Sequence, residues 1–135
     1  MKDLGTLGGA FSQAFGINDL GQITGQAYTK GGFGAHAFLY DGGTMHDLGT
    51  IRGPYSNGLG INHSGVVVGE SNFTSGSTAT HAFVYRNGRM EDLNRLIPAN
   101  SGWVLSTAYG INEAGEIVGY GTHTHQQRGF LLTPQ

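Results

Sequence analysis

The stretch SQAFGINDLGQITG, residues 12–25, sets short apolar runs against glycine and polar turn residues. SNGLGINHSGVVVG repeats it at 56–69, and STAYGINEAGEIVG repeats it again at 106–119. Short apolar runs bounded by Gly, Asn and Asp read as strands joined by tight turns. No segment makes a convincing helix. The best candidate is MEDLNRLI, residues 90–97, and its first half matches strand-like sequence elsewhere in the chain.

Two further landmarks recur in fixed order with this phrase. One is Met-x-Asp-Leu, at Met1, Met45 and Met90. The other is His-Ala-Phe-x-Tyr, at His36 and His81, which weakens at the third pass to Arg128-Gly129-Phe130-Leu131-Leu132. The units are 1–44, 45–89 and 90–135, and together they form a single repeat domain. The third carries extra residues around PANSGW, 98–103.

Each unit holds four strand signals, as in SQAFGIN, GQITGQA, HAFLY and MHDLG. NDLG, NHSG and NEAG suit a four-residue turn closed by glycine in the left-handed region. Gly42-Gly43 and Asn87-Gly88 are two-residue hairpin signals. The order is therefore strand, turn, strand, loop, strand, turn, strand. A four-stranded antiparallel meander of about 40–45 residues has the size of a propeller blade.

The chain opens on a fourth-strand signal, residues 1–5, and ends just after a third strand. The last unit thus lacks an outer strand, and residues 1–5 are expected to complete such a unit. Propellers commonly have about 4–8 blades. Three units therefore predict an all-β chain that joins a second copy head to tail as a six-bladed ring. A monomer closed as a threefold β-trefoil or β-prism is the alternative, and an open filament is a third.

Composition narrows the partners. Net charge is −2 and only 12% of residues are charged, so no basic face points to nucleic acid. Cysteine is absent, which removes disulfides, thiol nucleophiles and thiolate metal sites. No apolar run is long enough to span a bilayer as a helix. The opening MKDLGTLGG lacks a signal peptide's apolar stretch, so an exported form would carry its leader elsewhere.

The set MKDLGTLGG, the Ser-x-Ala-x-Gly-Ile-Asn phrase and His36-Ala37-Phe38 resembles the bacterial HAF repeats, named for the His-Ala-Phe triplet. The resemblance covers nearly the whole chain. The third repeat departs from it, with Arg128-Gly129-Phe130 in place of the triplet. The resemblance implies an extracellular or cell-surface setting and brings no established reaction.

Ser, His and Asp recur once per unit: Ser12, His36 and Asp47, then Ser56, His81 and Asp92, with Ser106, Arg128 and Asp3 as the third set. A hydrolase needs one triad with an oxyanion hole, and none of these serines sits in a Gly-x-Ser-x-Gly elbow. A blade-stabilising hydrogen-bond network explains the recurrence better, so no catalytic residue is assigned. His123-Thr124-His125 puts two imidazoles on one face if it is a strand, but zinc needs at least one more ligand and no cysteine can supply it, so solvated histidines in a polar loop are expected. Neither a metal nor another cofactor is expected.

Aromatic residues are the better candidates for ligand contact. Trp103 lies in the insertion, and Phe11 and Tyr55 precede the repeated serines. With His36, His81 and Arg128 they form the candidate binding set. The expected function is non-enzymatic binding, with a glycan as the ligand class. A glycan- or ester-acting hydrolase or lyase with a central pocket is the alternative, and so is a purely structural scaffold.

Overall fold

The computed structural model describes all 135 residues. The first sheet contains β1 (Gly8–Ile17), β2 (Ile23–Thr29), β3 (Ala35–Asp41) and β4 (Thr44–Gly49). The second contains β5 (Ser56–Ile61), β6 (Val67–Asn72), β7 (Thr80–Arg86) and β8 (Arg89–Asp92). The third has only β9 (Trp103–Ile111), β10 (Ile117–His123) and β11 (Gln126–Leu132). Each is an antiparallel meander with strands in chain order. The helix candidate at 90–97 is the end of β8 followed by one 3-10 turn, Leu93–Arg95. No helix is long and apolar enough to cross a membrane.

The turn signals act as their chemistry requires. Asn62 Oδ1 accepts from the Ser64 and Val66 amides at 3.1 and 3.0 Å, and Gly65 takes φ 80° to close the turn. Asn18 and Asn112 start the matching turns in the other sheets. In the β7–β8 hairpin Asn87 and Gly88 both have positive φ, as a two-residue turn between twisted strands demands.

The second sheet lies between the other two, and a core fills each gap. Ala37 and Leu48 of the first sheet meet Val67 and Phe83 of the second. Val68, Ala82 and Val84, on the opposite face of the second sheet, meet Leu105, Ala108, Ile117 and Phe130 of the third. Alternate side chains of β6 and β7 therefore serve different cores, as strand geometry dictates. The first strands crowd together. A Cβ on Gly60 of β5 would lie 2.8 Å from Tyr109 O of β9, so the small residues of β5 let its neighbour approach.

An asparagine ladder ties these first strands at the turn end. Asn18 Nδ2 donates to Asn62 O at 2.9 Å, and Asn62 Nδ2 donates to Asn112 O at 3.1 Å. Asn62→Ala removes the inter-sheet bond and both turn bonds from a residue only 5% exposed. It is expected to cost about 1–2 kcal/mol, read from urea unfolding at fixed protein concentration. Wild-type stability would show that the ladder is incidental.

Residues 1–6 pair with no strand, yet they are not randomly placed. Asp3 Oδ1 accepts from the Gly5 amide at 2.9 Å, as Asp47 Oδ1 accepts from Gly49 at 2.8 Å. Ser12 Oγ donates to Gly5 O, as Ser56 Oγ donates to Gly49 O. Leu4 and Leu7 pack on a third, smaller cluster of Ala27, Phe38 and Tyr40 on the outer face of the first sheet. The segment thus lies against the first sheet as β4 lies against the second, but without a sheet of its own.

Candidate functional site

Antiparallel pairing brings the starts of β1, β3, β5, β7, β9 and β11 to one end of the three sheets. Phe11, His36, Tyr55, His81, Trp103 and Arg128 all fall at or near that end, by register with the ends of the second strands. They do not converge on one cavity. Phe11 meets Tyr28 edge to face, with ring centroids 5.6 Å apart. Both are exposed, as are Tyr55 and Phe33.

The histidines form the repeated polar motif. His36 Nδ1 donates to Asp47 Oδ1 at 2.8 Å, and His81 Nδ1 donates to Asp92 Oδ2 at 2.7 Å. Each bond ties the start of a third strand to the end of a fourth. The His81 ring also lies flat on Phe73, with centroids 3.6 Å apart.

The serine that the sequence groups with His81 and Asp92 serves a different sheet. Ser56 Oγ accepts from the Ala37 amide at 2.7 Å and donates to Gly49 O at 2.5 Å. It is 2% exposed and fastens the second sheet to the first. No serine–histidine hydrogen bond forms, so the expected Ser–His–Asp network is two separate devices. The third unit solves the same problem with Asn94, which stands where Gly49 stands in the second. Its amide group exchanges two hydrogen bonds with the Leu105 backbone, at 2.7 and 2.8 Å.

Trp103 is half-buried. It stacks on His123 at 4.6 Å, meets the edge of Phe130, and packs on the core between the second and third sheets. His123 ends β10, while Thr124 and His125 form a two-residue turn with φ 49° and 69°. The two imidazoles are therefore not neighbours on a strand face. No group of three or more His, Cys, Asp or Glu side chains is placed to hold a metal ion. Arg128 is exposed on β11 and reaches only its neighbours, donating to Gln126 Oε1 and to Gln127 O.

Sequence reasoning missed the polar links across the sheet gaps. Thr107 Oγ1 donates to Glu70 Oε1 at 2.8 Å, and Gln26 Nε2 donates to Ser56 O at 3.0 Å. Gln26 and Glu70 hold the same repeat position, directly after the motif's last glycine, and that shared polarity was the available signal.

Beside β11 an apolar groove of about 310 Å³ is lined by Ile97, Trp103, Leu105, Phe130 and Leu132 among others. Of the candidate ligand-binding residues, Trp103 borders this groove. No protein-family model, curated protein or solved structure matches this chain.

Proposed function

We propose that the chain is a non-enzymatic binding module, half of a six-bladed ring of two copies, that recognises glycans through exposed aromatic side chains at the end of the sheets where their third strands begin. The carrying observation is that Phe11 and Tyr55, which hold the same repeat position, stand 66% and 45% exposed there. Exposed aromatic rings offer apolar area for a sugar face, and Tyr adds a polar edge. A ring of two copies repeats that position, so weak contacts add when several are engaged together. The HAF-like motifs support a surface or extracellular setting. The engagement of Ser56 with the backbone of the first sheet argues against a serine hydrolase.

Binding to a glycan array with Phe11→Ala, Tyr55→Ala and the double variant tests the reading. Both residues lie outside the three cores, so the variants are expected to fold. Each single change is expected to weaken binding by about tenfold and the double change to abolish it, as avidity requires. Wild-type protein that binds no glycan would sink the ligand assignment. Turnover of a glycan or ester would move the reading to the hydrolase.

A further inference from the structure

The two ends of the sheet stack expose apolar surface in complementary ways. At one end, Ile17 is 68% exposed, although Ile61 and Ile111 at the same repeat position pack against the cores. At the other, Val118 and Leu131 are 46% and 63% exposed, although their counterparts Val68 and Val84 are buried. β11 presents a free edge. Residues 1–5 carry a fourth strand's local geometry with no third strand to pair with.

Repeat register says how these features fit. Phe38 opposes Asp47, Leu39 opposes His46 and Tyr40 opposes Met45. Phe83, Val84 and Tyr85 oppose Asp92, Glu91 and Met90 in the same way. Continued to the third sheet, the pattern sets Phe130 opposite Asp3, Leu131 opposite Lys2 and Leu132 opposite Met1. Three separate chemistries agree with that register. Arg128 occupies the position of His36 and His81, each of which donates to the opposing strand's aspartate. Met45 and Met90 pack on the smaller cluster and on the first inter-sheet core, beside Phe38 and Tyr40 and beside Phe83 and Tyr85, and the third-sheet counterparts of those residues, Phe130 and Leu132, line the groove. The Gly129 amide corresponds to the Ala37 amide, which donates to the next sheet's Ser56.

Within one chain, residues 1–5 are held on the far side of the first sheet, two sheets away from β11. We infer that a second copy adds a strand to the free edge of β11: its residues 1–5 pair antiparallel with β11, the partner's Asp3 takes the Arg128 guanidinium, the partner's Met1 enters the groove lined by Phe130 and Leu132, and the partner's Ser12 accepts from the Gly129 amide. The exchange is reciprocal, so the ring has two identical seams. It rests on the two-copy ring proposed above and specifies what joins it.

Charge reversal tests the seam. Asp3→Arg alone places two arginines at each seam, and Arg128→Asp alone places two aspartates there. Both residues are exposed in the single chain, so each variant should fold, checked by circular dichroism. Native mass spectrometry is expected to show wild type at twice the 14.2 kDa chain mass. Each single variant should raise the dimer dissociation constant by about tenfold or more, because like charges are forced together. Mixing the two singles should restore a heterodimer, since the introduced arginine then meets the introduced aspartate at one seam and the native pair forms at the other. Pairing within one chain could not be rescued by mixing. A wild-type dimer that ignores both variants, or singles that mixing does not rescue, overturns the seam and leaves the ring standing. Wild type that stays monomeric at all concentrations overturns both. Open-ended oligomers with the same charge response keep the strand exchange and overturn the closed pair.

Discussion

Gly69→Ala is expected to lower stability by about 4 kcal/mol or more, a loss comparable with the whole margin of many domains of this size. Gly69 lies in β6 beneath an irregularity of β5, where the register slips between Gly58 and Gly60. A Cβ on Gly69 would sit 1.9 Å from Asn57 O, far inside contact distance, and the obstacle is backbone that cannot rotate away. Gly25 and Gly119 meet the same obstacle from Gln13 O and Thr107 O, at 1.9 and 2.0 Å. Gly69 sits between two cores, so displacing its strand disturbs both. Gly76→Ala is the control, because nothing lies within 4 Å of its added Cβ. That change should move stability by no more than about 0.5 kcal/mol. Urea unfolding followed by circular dichroism reads both, and a Gly69→Ala protein that unfolds with the wild-type midpoint would show that the β5 carbonyl yields.

Ser56→Ala should cost about 2–4 kcal/mol. The hydroxyl serves two backbone groups of the first sheet, the Ala37 amide and the Gly49 carbonyl, and alanine removes both bonds. Each unsatisfied buried group costs about 1–3 kcal/mol. Ser12 makes the matching bond to Gly5 O on an exposed surface in the single chain. Ser12→Ala should therefore change the unfolding free energy of a monomer by about 0.5 kcal/mol or less. In the ring proposed above the same change should weaken the dimer, because the Gly129 amide of the partner would lose its acceptor. Equal losses for the two serines, measured under monomeric conditions, would contradict the assignment of Ser56 as a fastener between sheets.

The Arg128 position shows how a repeat can carry information through its defects. In two sheets a histidine meets an aspartate from the adjoining strand of the same chain. In the third the histidine is replaced, and Arg128 has no carboxylate beside it in its own chain. An arginine offers a fork of donors to a carboxylate and stays charged across the ordinary pH range. The exception to the motif thus falls on the three-stranded sheet, on the strand that forms its free edge.

The order of strands, the Asn–Gly turns, the hairpins at Gly42-Gly43 and Asn87-Gly88 and the three-unit register were legible in the sequence. Each depends on residues a few positions apart, where glycine's access to positive φ and asparagine's bond to its own backbone act locally. The candidate site was legible only as a set of residue types near one end of the sheets. Tertiary structure decided that Ser56 answers to Ala37 and Gly49 rather than to His81, that Trp103 packs on a core and stacks on His123, and that His123 and His125 part at a turn. It also decided why the motif's last glycine is obligatory, since the obstructing carbonyl belongs to another strand. Partners brought together across the turns and between the sheets leave no periodic mark, because the chain records which residues recur and only packing fixes which of them touch.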